Sequence, residues 1–256
     1  AIFHIASPVT AIKPRDPADL IEPAKQGTLN VLEAAASRGI NRVVLTSSVT
    51  AILGGTKEGR VYTANDWSDP SDPGMAPYAI SKTLAERCAW NFCKSKDISL
   101  TTIHPAMVLG PALEPDYGGS LAALVKLLRR ELPLLPRFGF EIVDVRDAAG
   151  LHRLALENPE AIGQRLIAAN GFLWFREIPA LLVDAYPDRK IAHREMPNWL
   201  SKLTSLFVHE IAAILNDLEV IKELDNSTAT NLEWRPRTPK QAILSGAKSL
   251  IDLDVV

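Results

Sequence analysis

Short apolar runs alternate with amphipathic stretches along the first half of the chain. The apolar runs have the length of strands buried on both faces, and the amphipathic stretches repeat their apolar residues every three to four positions, as helices do. The predicted order is strand, helix, strand, helix, strand, over Ala1–Pro8, Ala18–Ser37, Arg42–Thr46, a helix through Tyr78 and Lys82, and Leu100–His104. This order predicts an α/β fold built on a doubly wound parallel sheet, whose ligand sites lie at the carboxyl ends of its strands.

The second half of the chain has a different pattern, and we place the boundary near Gly110–Pro111. Helical and extended patterns alternate less regularly there, which favours a smaller substrate-binding or lid region over residues 111–256, with some elements returning to the sheet. The predicted helices are Leu121–Arg130, Asp147–Asn158, Ile178–Tyr186, Leu203–Leu215 and Pro239–Ile251, and the predicted extended segments are Ile142–Val145 and Arg165–Ala168. Apolar residues such as Leu113, Leu121 and Trp174 indicate either a hydrophobic substrate pocket or the core of this lid.

Composition restricts the class of protein. The chain has 256 residues, of which 47% are hydrophobic, and its 28 basic and 30 acidic side chains are scattered along the sequence. Such a chain can bury a core, and it lacks the basic clusters that nucleic-acid binding requires. No apolar run approaches the roughly 20 residues that span a membrane, so we expect a soluble, cytoplasmic protein.

Neither the cysteines nor the histidines predict a metal site. Cys88 and Cys93 fall on different faces of a predicted helix, and two cysteines are too few for a structural zinc site. His209-Glu210 begins like a zinc-protease motif, but the second histidine of that motif is missing. We therefore expect no bound metal.

The first chemical candidate is the pair Tyr78 and Lys82, which are four residues apart. Side chains at this spacing lie on one helical face and can form a proton-transfer pair. A phenol normally ionises near pH ~10, and a neighbouring ammonium lowers that pKa. The same spacing arises by chance in roughly one such sequence in five, so the pair needs further evidence.

Ser47-Ser48 supplies a second candidate, because it directly follows an apolar strand. A hydroxyl at that strand end can face the same crevice as Tyr78 and donate a hydrogen bond to a carbonyl oxygen that gains charge during reduction. The alternative is that these serines only satisfy backbone groups in a turn. With one serine included, the residues form a Ser-Tyr-Lys triad.

Five blocks of sequence, in this order, carry a resemblance to a known family. They resemble the successive motifs of the extended short-chain dehydrogenase/reductases, and are most similar to the branch of dihydroflavonol 4-reductase, cinnamoyl-CoA reductase and microbial aldehyde reductases. The blocks are Phe3–Val9, Gly27–Ala34, Val43–Ser48, Tyr78–Glu86 and His104–Pro111, and the likeness continues through Val143–Asp147 to Leu232–Arg237.

The resemblance implies NADP-dependent reduction of an aldehyde or ketone. Tyr78 would be the general acid, Lys82 would lower its pKa and bind the nicotinamide ribose, and Ser48 would hold the substrate carbonyl. The same constellation serves nucleotide-sugar epimerases, dehydratases and hydroxysteroid dehydrogenases, and a non-catalytic nucleotide-binding or scaffold protein is a further alternative. We expect a small, hydrophobic carbonyl substrate and a monomer or homodimer.

The cofactor residues are also implied by the resemblance. Ala6 and Ser7 would line the cofactor near its phosphates and ribose, together with Tyr78 and Lys82, while Pro105 and Val108 would contact the nicotinamide end. Residues 1–110 would thus form a partial Rossmann-like dinucleotide-binding region, and the lid would follow.

One departure from the family pattern concerns its glycine-rich turn, since the 14 glycines of this chain form neither G-x-x-G-x-x-G nor G-x-G-x-x-G after a strand. The sequence opens on what would be the fourth strand, so we expect roughly 70 residues to precede it in the parent protein, from a βαβ unit of ~30 residues plus another strand and helix. The residue that selects NADP over NAD would lie there, so NADP is carried over from the family with NAD as the alternative. We expect the 256-residue chain alone to expose a sheet edge and to bind NADPH weakly or not at all.

Overall fold

The computed structural model describes residues 1–9, 16–56, 58–192, 194–205, 208, 211 and 214–256. In chain order the strands are β1 (Ile2–His4), β2 (Arg42–Thr46), β3 (Val61–Tyr62), β4 (Ser99–Pro105), β5 (Met107–Leu109), β6 (Leu135–Pro136), β7 (Gly139–Asp144), β8 (Arg165–Ala168), β9 (Phe172–Trp174), β10 (Glu195–Met196) and β11 (Glu223–Leu224). The helices are α1 (Ala18–Ser37), α2 (Thr50–Leu53), α3 (Pro77–Ser95), α4 (Gly119–Leu128), α5 (Val145–Glu157), α6 (Glu177–Ala185), α7 (Asn198–Thr204), α8 (Ser227–Thr230) and α9 (Pro239–Asp252).

The main sheet has four parallel strands in the order β1-β2-β4-β8. Neighbouring strands of this sheet are joined through α1, α3 and α5, because parallel strands need a crossover connection. In β2, Val43, Val44 and Leu45 are all buried, which fits a strand covered on both faces. The predicted α/β fold with a doubly wound parallel sheet is confirmed.

Helix α1 shows why the apolar spacing predicted its position so closely. Its buried positions are Leu20, Ala24, Thr28, Leu32 and Ala35, which form one stripe along the helix. Gly39 follows the C-cap with a φ of 65°, a left-handed conformation that glycine adopts without strain. The stripe packs toward α3 and the sheet, so α1 stands beside the strand ends that carry the candidate residues.

A second sheet extends the fold beyond the main one. Strand β5 pairs with β7 in parallel, and β7 pairs with β9 in antiparallel orientation. Helices α4, α6 and α9 pack on this part of the molecule around an apolar cluster that includes Leu124, Phe175, Leu182 and Ile243. Strand β8 comes from the second half of the chain and lies in the main sheet, so the two halves share a sheet.

Two predicted elements differ from the structure. Val145 begins α5 instead of ending a strand, because Asp144 caps this helix by accepting a hydrogen bond from Arg146 N at 2.9 Å. Of the predicted helix Leu203–Leu215, α7 covers only Leu203 and Thr204, and Leu215 begins a short 3-10 helix; residues 206–207, 209–210 and 212–213 lie outside the described residues. Within the described part of the chain, no helix combines the length and the apolar character that crossing a membrane requires.

Candidate active site

The carboxyl ends of β1, β2 and β4 bring the candidate residues to one edge of the sheet. The turn after β2 is fixed there by two backbone hydrogen bonds to β4: Ser47 N donates to Ile103 O at 2.7 Å, and Val49 N donates to Pro105 O at 3.2 Å. The turn that carries Ser48 is therefore held by the neighbouring strand and does not depend on its own sequence alone.

Helix α3 positions the tyrosine and the lysine. Ala76 precedes it in an extended conformation, and Pro77 occupies the first helical position, where its fixed φ favours helix initiation. Tyr78 thus lies in the first turn of α3 and Lys82 one turn later, with the Lys82 ammonium 5.9 Å from the centre of the Tyr78 ring. The predicted pair lies on one helical face, as its spacing requires.

Ser48 is the serine that reaches Tyr78. Its buried side chain lies near enough to the Tyr78 phenol to lower the pKa of that phenol, and its Oγ accepts a hydrogen bond from Thr50 N at 3.2 Å. Burial raises the pKa of Tyr78 above its usual value, and the Ser48 hydroxyl offsets this only in part. The lowering of that pKa expected from Lys82 is not found in this structure, where desolvation of the phenol is the largest effect. Tyr78 is consequently protonated at neutral pH, the state in which a phenol can donate a proton.

Lys82 is a buried ammonium with room for a further partner. Its side chain is 6% exposed, and its Nζ donates to Thr46 O at 3.2 Å. Burial lowers the pKa of Lys82 to about 8, while the carboxylate of Glu86 acts in the opposite direction. An ammonium has three donors, and the bond to Thr46 O is the one side-chain hydrogen bond of Lys82 found among the described residues.

Ser47 points to a different partner from that of Ser48. Its Oγ donates to the Oε2 atom of Glu86 at 2.7 Å, and both side chains are buried. Sequence reasoning did not identify Glu86 as a functional residue, although Glu86 continues the four-residue spacing of Tyr78 and Lys82 along α3. This four-residue spacing is the feature of the sequence that could have identified Glu86.

Residues predicted to hold a cofactor line two separate cavities. Ala6 and Ser7 line a small cavity together with Lys82, Glu86 and Thr28. Val108 lines another cavity of about 220 Å³, with Gly110, Pro111 and Leu121 among its other walls. Pro105 lies half-buried at the end of β4, where its carbonyl accepts the hydrogen bond from Val49 N.

The small cavity has the polar groups that a nucleotide ribose would need. Lys82 offers unused N–H donors there, and the Ser7 hydroxyl lies on the opposite chain segment after β1. The cavity itself holds only about 10 Å³, the space of about one water molecule, so these groups would hydrogen-bond a ribose that lies at its mouth and not one enclosed in it.

A larger apolar cavity of about 370 Å³ shares Gly119 with the cavity that Val108 lines. Its walls include Ala122, Phe138 and Phe175. Of the apolar residues singled out from the sequence, Leu121 lines the Val108 cavity, Trp174 packs edge-on against Phe172, and Leu113 is 95% exposed. Leu113 is therefore a surface residue of this structure.

His209 and Glu210 lie outside the described residues. Over the part of the chain that the structure describes, no group of three or more His, Cys, Asp or Glu side chains is arranged to hold a metal ion.

Several known proteins are similar to this chain. The model of the NAD dependent epimerase/dehydratase family matches residues 1–168. Cinnamoyl-CoA reductase CAD2 of Medicago truncatula is 37% identical over 199 residues, which cover 75% of this chain and 60% of that protein. Tetraketide alpha-pyrone reductase 2 of Arabidopsis thaliana is 30% identical over 223 residues, which cover 82% of this chain and 68% of that protein. Against the Medicago protein, the chain thus spans about three fifths of the relative's length.

A solved structure resembles the fold over nearly the whole chain. Gre2 of Candida albicans in complex with NADPH matches with a TM-score of 0.80 and 27% sequence identity, covering 98% of this chain and 76% of that one.

Proposed function

Because this chain belongs to the NAD dependent epimerase/dehydratase family, we propose that it reduces an aldehyde or ketone with NADPH, using Ser48, Tyr78 and Lys82. The family membership agrees with the resemblance to extended short-chain dehydrogenase/reductases found in the sequence. The observation that carries the proposal is the placement of Ser48 beside a half-buried, protonated Tyr78, with the Lys82 ammonium 5.9 Å from the Tyr78 ring.

Each of the three residues has a distinct task in the proposed reaction. Bound NADPH supplies the hydride to the carbonyl carbon. Tyr78 donates its phenolic proton to the carbonyl oxygen as negative charge develops there, and Ser48 donates a hydrogen bond to the same oxygen. Lys82 binds the nicotinamide ribose and, as an ammonium, stabilises the tyrosinate that remains after proton transfer.

The cofactor assignment rests on the relatives and on the small cavity. The similar Gre2 structure from Candida albicans contains bound NADPH. In this chain, Ser7 and Lys82 would bind the ribose, Ala6 would line the cofactor near its phosphates and ribose, and Pro105 and Val108 would contact the nicotinamide end.

A hydrophobic carbonyl compound is the proposed substrate class. The cavity of Val108 and the apolar cavity walled by Phe138 and Phe175 share Gly119 as a lining residue, so the two lie side by side. Aromatic and aliphatic walls favour an apolar substituent on the carbonyl carbon, since its burial contributes about 25 cal/mol per Å².

The test is consumption of NADPH by the protein as its gene encodes it, across a panel of aldehydes and ketones with small polar, aliphatic and aromatic substituents. We expect oxidation of NADPH with the apolar members and higher kcat/KM for aromatic than for small polar substrates. NADPH binding without turnover of any carbonyl would support a non-catalytic nucleotide-binding protein instead. Interconversion of a nucleotide sugar without net consumption of cofactor would support an epimerase.

A further inference from the structure

Glu86 is a fully buried carboxylate on the helix that carries Tyr78 and Lys82. It lies on α3 one turn after Lys82 and two turns after Tyr78, and 1% of its surface is exposed. It lines the same small cavity as Lys82, Ser7 and Thr46. A buried carboxylate is costly unless it is well hydrogen-bonded and paired with a positive charge, so its presence here requires a compensating environment.

That environment comes from four different elements of the fold. The Glu86 oxygens accept hydrogen bonds from Ser47 Oγ at 2.7 Å, Thr102 Oγ1 at 3.1 Å, Trp90 Nε1 at 3.2 Å and Arg165 Nε at 2.8 Å. His104 Nε2 lies 2.8 Å from Oε2. These donors lie after β2, in β4, in α3 and in β8, so the carboxylate fixes the relative positions of α3 and three strand segments.

Two of these contacts lie next to residues of the proposed reaction. Ser47 is the chain neighbour of Ser48, and its bond to Glu86 is the side-chain anchor of that turn. His104 is the chain neighbour of Pro105, whose carbonyl accepts from Val49 N on the same turn. A change at Glu86 should therefore affect the position of Ser48 in two ways, through its chain neighbour Ser47 and through His104, which precedes Pro105.

The charges around Lys82 and Glu86 are few and can be named. Among the described residues, Lys82 interacts with Glu86 and Tyr78 of its own helix and with His4 of β1, while α1 contributes the uncharged Thr28. His104 of β4 and Arg165 of β8 face Glu86. Glu86 is thus the negative group that offsets the unfavourable burial of the Lys82 ammonium.

We propose that Glu86 is a positioning residue of this site, whose buried carboxylate anchors the Ser47–Ser48 turn to α3 and places a negative charge beside Lys82. The inference rests on the proposed reductase function, because it assigns Glu86 a task within that reaction. Glu86 does not touch the substrate in this role; it acts through Ser48 and Lys82.

The test compares Glu86→Gln with Glu141→Gln, which also removes a buried carboxylate but lies in β7 with Leu224 N as its backbone donor. In Glu86→Gln we expect kcat to fall about 10- to 100-fold with a smaller change in KM, as for loss of an electrostatic group in an active site. The alkaline limb of the kcat–pH profile should move about one unit lower, because Lys82 loses its proton more readily without the carboxylate. Glu141→Gln should leave that limb in place. A Glu86→Gln enzyme whose alkaline limb coincides with that of the wild type overturns the inference.

A second measurement needs no substrate. Titration of Lys82, followed by NMR on protein labelled at the lysine ε-carbons and assigned with Lys82→Met, should shift to lower pH in Glu86→Gln. An unchanged Lys82 titration overturns the role of Glu86. Absence of turnover in the wild type together with a shifted Lys82 titration contradicts the proposed reductase function and leaves the electrostatic role of Glu86 intact.

If Glu86→Gln fails to fold, Glu86→Asp separates charge from reach. Aspartate keeps the negative charge but is one methylene shorter, so it should preserve the alkaline limb while kcat falls about 3- to 10-fold through loss of the Ser47 anchor. Wild-type kcat in Glu86→Asp, or a displaced alkaline limb, contradicts the inference.

Discussion

Ser47 and Ser48 are neighbours in the chain, yet their hydroxyl groups face different residues of α3. Ser47 Oγ donates to the buried carboxylate of Glu86 at 2.7 Å, whereas the Ser48 hydroxyl lies beside the Tyr78 phenol and lowers its pKa. The two serines therefore have separable effects: one stabilises the turn, and the other faces the group proposed to transfer the proton.

Replacing each serine by alanine should reveal this division. Ser48→Ala removes the hydroxyl beside Tyr78 and the hydrogen bond proposed to reach the substrate oxygen, and we expect kcat to fall about 100-fold with little change in stability. Ser47→Ala removes one donor to a buried charge and should lower the free energy of unfolding by about 1–3 kcal/mol. Steady-state kinetics and urea unfolding of both variants check this. Similar losses of kcat in the two variants would contradict the assignment of Ser48.

The rate of carbonyl reduction should decrease as the pH rises through about 8. Burial lowers the pKa of Lys82 to about 8, so its ammonium is present below that pH and is lost above it, and the reaction requires the charged form. The kcat–pH profile measures this limb. Lys82→Arg should be slower, because the two side chains differ in geometry, but its remaining activity should persist to higher pH since a guanidinium stays protonated. If the wild type and Lys82→Arg lose activity at the same alkaline pH, a group other than Lys82 causes the loss.

Arg165 should be essential for stability because it pairs with Glu86 away from solvent. The two side chains are 9% and 0% exposed, and the Arg165 guanidinium also stacks on the Trp67 ring at 3.8 Å. Arg165→Met leaves a buried carboxylate without its counter-charge and should cost about 3–5 kcal/mol of unfolding free energy. Lys248→Met breaks an ion pair with Asp252 that is exposed on the surface and should leave the urea midpoint unchanged. Equal midpoints for the two variants would refute this reading of the buried pair.

The fold could be predicted where the apolar pattern is distinctive. Helix Ala18–Ser37 and strands Arg42–Thr46 and Arg165–Ala168 have the predicted bounds, because the helix buries one stripe and the strands are short apolar runs covered on both faces. The environment of Glu86 could not be predicted in the same way. Its partners Thr102, His104 and Arg165 are distant in sequence and meet only when β4 and β8 pair.

The candidate site was predictable in its members but not in its electrostatics. Motif spacing identified Tyr78, Lys82 and the serine pair, and the structure places Ser48 against Tyr78. The sequence led us to expect a lowered pKa for Tyr78, whereas burial raises it, because desolvation depends on what packs around the phenol. The functional roles of these residues remain predictions that the kinetic measurements test.

Close packing of α9 against the chain after β5 should make Gly246 intolerant of a side chain. A Cβ at Gly246 would lie 2.9 Å from Gly110 O and 3.1 Å from Leu124 Cδ1. Gly246→Ala should therefore destabilise the fold by about 1–3 kcal/mol through overpacking. A Cβ at Gly150 in α5 has nothing within 4 Å, so Gly150→Ala should stabilise by about 0.5–1 kcal/mol through helix propensity. Thermal unfolding of the two variants should show melting temperatures shifted in opposite directions, and shifts of the same sign would contradict this packing.

The most direct test of the reductase account is Tyr78→Phe, made in the protein as its gene encodes it. This substitution deletes only the phenolic oxygen, so it removes the proposed proton donor and keeps the ring and the cofactor cavity. We predict that kcat for carbonyl reduction falls at least about 1000-fold, within the range of a lost general acid, while the Kd for NADPH, measured by fluorescence titration, changes less than about threefold. Turnover within a few fold of the wild type, with NADPH still bound, would contradict the assignment of Tyr78 as the catalytic acid.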